Sequence, residues 1–114
     1  MRRCLIGDLI EAAVVVAAAA PDQRLAFAFN LIDQAHCAHQ YAKKFGKAHS
    51  VWGNGSLMAR AMAHDGPRIA RRDDPAFLAG LSIVAAALAT RKQHRLCLQS
   101  KGAALALSRG LAMC

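Results

Sequence analysis

The chain has little of what builds a β-sheet. Only 5% of its 114 residues are aromatic, and Thr90 is its single threonine. Strands need β-branched and aromatic side chains to cover a pleated surface, so this composition argues against a sheet-based fold. Acidic residues are scarce as well. Seven Asp and Glu stand against 15 Lys and Arg, for a net charge of +8, and no acid follows Asp74. Residues 1–33 are close to neutral, and the basic excess lies after them. The longest uncharged run, Pro75 to Thr90, is 16 residues, short of the ~20 that cross a bilayer. A buried core helix is the better reading of it, and membrane contact is the weaker one. The start, Met1-Arg2-Arg3-Cys4-Leu5-Ile6, superficially resembles an export signal, but Gly7, Asp8 and Glu11 interrupt its apolar stretch, so export is not expected.

Cysteines stand at 4, 37, 97 and 114, with no CxxC pair for a metal or redox motif. Four cysteines allow three pairings, which spacing alone does not separate. A chain of this size buries enough surface to fold without covalent staples. The expectation is four free thiols in a reducing, cytoplasmic setting.

What the chain does have is alanine, about a quarter of it, within a hydrophobic fraction of 55%. That excludes a disordered chain of low hydrophobicity and favours helix. The fold class expected is all-α: a compact bundle of four helices, with room for a fifth short one at the C-terminus. Asp8-Leu9-Ile10-Glu11 reads as a capping box opening a first helix near Leu9. Pro21 ends that helix and starts the next. The second, about Asp22 to Phe45, closes on Gly46 and places Leu25, Ala28, Leu31, Ile32, Ala35, His39 and Ala42 on one face. Gly53-Asn54-Gly55 is a turn signal, and Ser56 caps a short third helix from Leu57 to about His64. Asp74-Pro75 opens a fourth, with Phe77, Leu78, Leu81, Val84, Ala85 and Leu88 turned inward. Residues 1–92 read as a single helical domain. Residues 93–114 read as a basic C-terminal extension, helical or poorly ordered, with a last helical stretch at Ala103 to Arg109.

Two features carry candidate binding chemistry. Trp52, the single tryptophan, joins Asn54, Gly55 and Ser56 at a helix start. Consecutive backbone N–H groups beside a positive helix end suit an anion, and His49 and Arg60 are near enough in sequence to assist. The plainer reading is that Trp52 pins the loop to the core. Basic residues also cluster as Lys43, Lys44 and Lys47; as Arg68, Arg71 and Arg72; and as Arg91, Lys92 and Arg95. Drawn together by folding, they would form a patch attracting phosphates. His36-Cys37-Ala38-His39 is the densest group of metal-ligand types, but the three side chains diverge around a helix and no further ligands complete four-coordination. No metal, no cofactor and no catalytic residue is expected, since no nucleophile stands beside a base.

The stretch His49-Ser50-Val51-Trp52-Gly53-Asn54-Gly55-Ser56-Leu57-Met58, with the Gly7-Asp8 start and Asp74-Pro75 before an apolar helix, resembles a family of small, uncharacterised bacterial proteins of alphaproteobacterial type. The likeness runs over about residues 1–92. It implies a compact helical protein and assigns no activity. The function expected is non-enzymatic: a small interaction protein that binds a protein partner or self-associates. The alternative is a basic nucleic-acid-binding or phage-like-particle-associated protein working through its clustered Lys and Arg.

Overall fold

A computed structural model describes residues 2–69 and 71–101, with side chains as far as Gln93. The described chain is all-α. Four helices follow in order: α1, Ile6–Ala17; α2, Arg24–Phe45; α3, Leu57–Met62; and α4, Pro75–Lys101. No strand forms among the described residues, and the one extended pairing is an isolated bridge between His49 and Gly53. The fifth helical stretch expected at Ala103 to Arg109 lies outside the described residues. The helical backbone of α4 passes without a break from residue 92 to Lys101.

α1 is the centre of the bundle and packs on each of the other three helices. Ala12 to Ala17 are all buried, six consecutive positions, which only a helix covered on every side can show. It starts three residues earlier than the sequence suggests. Asp8 is not the N-cap but the third helical residue: its Oδ2 accepts from the Leu5 N–H at 2.9 Å, leaving Oδ1 for another element. At the other end the Arg24 guanidinium donates to Ala17 O at 3.0 Å and Ala19 O at 3.2 Å. It thereby covers carbonyls that a helix end leaves unpaired.

Side-chain size decides which face of α4 meets α1. The buried positions are Phe77, Gly80, Val84, Ala87 and Leu88, whereas Leu78 and Ala85, expected inside, are exposed. Gly80 sits so close to α1 that a Cβ there would lie 2.9 Å from Ala13 O and 3.0 Å from Ala17 Cβ. The smallest residue therefore sets the line of closest approach, and the helix turns larger side chains away from it. Pro75–Gln93 is long and apolar enough to cross a membrane by length and composition, with 28% of it buried in the bundle.

On α2, Ala28, Leu31, Ile32 and Ala35 enter the core as expected, but Leu25 is exposed because the helix begins only at Arg24. Cys37 and Ala38 are buried too. Cys37 is disulfide-bonded. That corrects the expectation of four free thiols. Cys4 is a free thiol, and burial together with the nearby Asp8 carboxylate pushes its pKa up.

Candidate functional site

α2 ends on Gly46 in the left-handed conformation (φ 71°), which glycine adopts without strain. The chain then forms a tight loop. His49 N donates to Gly53 O at 2.9 Å and Gly53 N to His49 O at 3.1 Å. Inside this loop His49 Nδ1 accepts from the N–H groups of both Val51 and Trp52, at 3.1 Å each. An imidazole nitrogen that accepts two N–H bonds carries no proton of its own, so the hydrogen of the neutral ring sits on Nε2.

The same ring organises an aromatic cluster. His49 stacks on Trp52 at 4.9 Å and 11°, and meets Tyr41 edge-on at 5.0 Å. Tyr41 packs in turn on Phe45 at 4.6 Å. Tyr41 and Phe45 are four apart on α2, a spacing that places side chains together on a helix. The cluster is partly open to solvent. Phe45 is 55% exposed and Val51, at the loop tip, 62%. The Lys44 ammonium lies 5.5 Å from the centre of the Phe45 ring, within range of a cation–π contact.

Residues 54–59 have a different task. Asn54 Oδ1 accepts from Ser56 N at 3.1 Å, and Ser56 Oγ caps α3 by accepting from Ala59 N at 3.1 Å. The free oxygen of Asp8, Oδ1, accepts from Met58 N at 2.9 Å. One buried carboxylate thus closes the N-termini of two helices. Gly55 lies flat against α2, where a Cβ would come within 2.6 Å of His39 Cα. Arg2 N also donates to Gly55 O at 2.9 Å. The N–H groups of Val51, Trp52, Ser56, Met58 and Ala59 are therefore engaged by the protein itself. Arg60 points away from the loop to α2, its Nε donating to Gln34 Oε1 at 2.6 Å.

Several arginines of the basic clusters are engaged within the fold. Arg68 Nη2 donates to the carbonyls of Ala61, Met62 and His64 at 2.8–3.0 Å, closing the C-terminal end of α3. Arg71 forms a two-point pair with Asp73, and holds that exposed carboxyl below its usual pKa. Arg72 pairs with Glu11 of α1 at 3.2 Å, and Arg91 of α4 with Asp33 of α2. Lys92 is exposed on α4, and the Arg95 side chain lies outside those described. Lys43, Lys44 and Lys47 are also exposed, and among the described residues no carboxylate pairs with them. Residues 34–64 hold no acid at all.

No group of three metal-ligating side chains forms among the described residues. His39 is half-buried beside Gly55, and the His36 ring lies 3.5 Å from the Gln40 amide. The loop 49–56 was legible as a unit in the sequence. The contribution of Tyr41 and Phe45 was not drawn from it, although their spacing of four would have supported it. Asp8 as the partner of Met58, fifty residues away, had no local signal.

The model of a domain of unknown function, DUF7742, matches residues 2–88. The chain belongs to the DUF7742 family. That match takes in α1, α2, α3, the aromatic loop and α4 as far as Leu88, close to the span of the likeness noted above. No curated protein and no solved structure matches the chain.

Proposed function

We propose that this DUF7742 protein is a small, non-enzymatic helical interaction module that binds a protein partner. The observation that carries the reading is the uncovered apolar surface. Leu5, Ile6, Leu25, Phe45, Val51, Met62 and Leu78 are each more than half exposed, while the core beneath them is closed. Large apolar side chains left in solvent, where they adjoin, mark surfaces that become covered on association; Leu5 and Ile6 adjoin in sequence, and Phe45 and Val51 flank one aromatic cluster. Self-association through the same surface is the variant of this reading in which the partner is a second copy.

The test is site-specific photo-cross-linking in the source cell, with a cross-linking residue placed in turn at Val51, Leu78 and Met62, and at the exposed polar position Asp22 as control. A discrete protein adduct from at least one apolar position and none from Asp22 supports the reading. No adduct from any apolar position refutes it. An adduct of twice the chain mass, with a dimer in light scattering, identifies the partner as another copy.

A further inference from the structure

The cations divide into two kinds. Arg24 and Arg68 close helix ends, Arg60 holds Gln34, and Arg71, Arg72 and Arg91 are paired with carboxylates. Arginine is the side chain best suited to two-point phosphate contacts, and these six are committed within the fold. Among the described residues Arg2, Arg3, Lys43, Lys44, Lys47 and Lys92 pair with no carboxylate; three of them, Lys43, Lys44 and Lys47, fall within five residues at the end of α2, with Phe45 between them and Val51 on the adjoining loop.

From this arrangement we infer that the end of α2 and the 47–53 loop form a docking surface for an acidic protein segment carrying an apolar anchor. The inference rests on the interaction reading above and names the chemistry of the partner. Three unpaired ammonium groups, in a stretch of chain without one carboxylate, supply charge complementarity for Glu or Asp side chains. Phe45 and Val51 supply the apolar contact between them. A single-stranded nucleic acid fits less well. Bases need open aromatic faces to stack on, and His49 already stacks on Trp52 while Tyr41 packs on Phe45. Lys44 stands over the Phe45 ring. Val51 gives a base nothing to stack on.

Trp52, the single tryptophan, reports on this surface from within. Its fluorescence is followed as the full chain is titrated with four probes: a synthetic peptide rich in Glu with Leu and Phe interspersed, its Gln-for-Glu isomer, an oligothymidylate, and vesicles containing phosphatidylserine. The acidic peptide should change the emission saturably, and its affinity should fall at least about tenfold between about 50 mM and about 300 mM salt. Replacing all three lysines (K43E, K44E, K47E) should weaken it about tenfold or more, whereas K92E on α4 should not. The milder K43Q, K44Q, K47Q variant covers the case in which charge reversal unfolds the end of α2, as circular dichroism would show. Equal binding of the Gln isomer, tighter binding of the oligothymidylate or the vesicles, or no response to the acidic peptide overturns the inference. A protein adduct at Val51 without acidic-peptide binding would leave the interaction reading standing and remove only the acidic partner.

Discussion

Asp8 is the residue on which the arrangement of α1 and α3 depends, and its removal gives the sharpest test of the structure. Its carboxylate is 6% exposed and accepts from Leu5 N and Met58 N, both at 2.9 Å. Each bond to a charged acceptor contributes about 1.5–3 kcal/mol, and the charge faces the positive ends of two helices. Asp8→Ala removes both bonds and leaves two N–H groups without acceptors, so the loss should be about 3–4 kcal/mol. Asp8→Asn keeps one oxygen and loses the charge, so about 2 kcal/mol is expected. For a chain of this length about 1 kcal/mol corresponds to roughly 4 °C in Tm. The two variants should therefore melt about 12–16 °C and about 8 °C below the parent. Hydrogen exchange adds a local readout. The Met58 amide, at the start of a six-residue helix, should lose protection in Asp8→Ala more than amides in the middle of α2. A drop below about 4 °C for Asp8→Ala, or unchanged protection at Met58, would refute the two-helix role.

Three further outcomes follow from the packing and the titrating groups. Gly55→Ala should destabilise the domain by about 3 kcal/mol or more in chemical denaturation, because the glycine φ is 100° and a Cβ would strike the α2 backbone at His39; a loss under about 1 kcal/mol would show that the loop does not sit there. His39 and His64 are both pushed below the usual 6.5, first by burial and then by nearby positive charge, Lys43 and Arg2 for His39 and Arg60 and Arg68 for His64. The unfolded chain then binds more protons than the folded one as pH falls through about 6.5, so this contribution to stability is present above that pH and lost below it. Tm should fall from pH 7.5 to pH 5.5, and His64→Gln should reduce the slope; a Tm that rises over that window contradicts the shifts. Thiol titration of the denatured protein should find four thiols after reduction and fewer before it, since Cys37 is bridged and Cys4 is free. Four thiols before reduction would remove the disulfide.

Much of the fold could be read from the sequence because its signals are local. Alanine content and the positions of Pro21, Gly46, Ser56 and Pro75 placed four helices, with α4 running on to Lys101 and α1 starting three residues early. The shift at α1 has a physical source. A carboxylate four residues from the start of an apolar run can serve as the N-cap or as the third helical residue reaching back, and both satisfy the same pattern. The choice falls to tertiary structure: only in the second arrangement does the other oxygen of Asp8 reach Met58 N. The face of α4 eluded the pattern for a related reason. A helical wheel ranks positions by hydrophobicity and so favours Leu78 and Ala85, but two helices approach most closely where side chains are smallest, at Gly80 against Ala13 and Ala17.

The charge count shows most clearly what a sequence sums and a structure sorts. Fifteen bases against seven acids invite a phosphate-binding surface, yet part of the excess answers an internal need. α1 and α3 end on alanines, at Ala18 and Ala63, without the left-handed glycine that closes α2. Their last carbonyls still require donors, and Arg24 and Arg68 provide them from seven residues away. A guanidinium spends its charge there on backbone oxygens rather than on carboxylates, so the fold accumulates bases without matching acids. The donors of Arg24 and Arg68 are thereby taken up within the fold, while the lysines at the end of α2 have no carboxylate partner among the described residues. That sorting, rather than the total, decides which bases are open to a partner among the described residues.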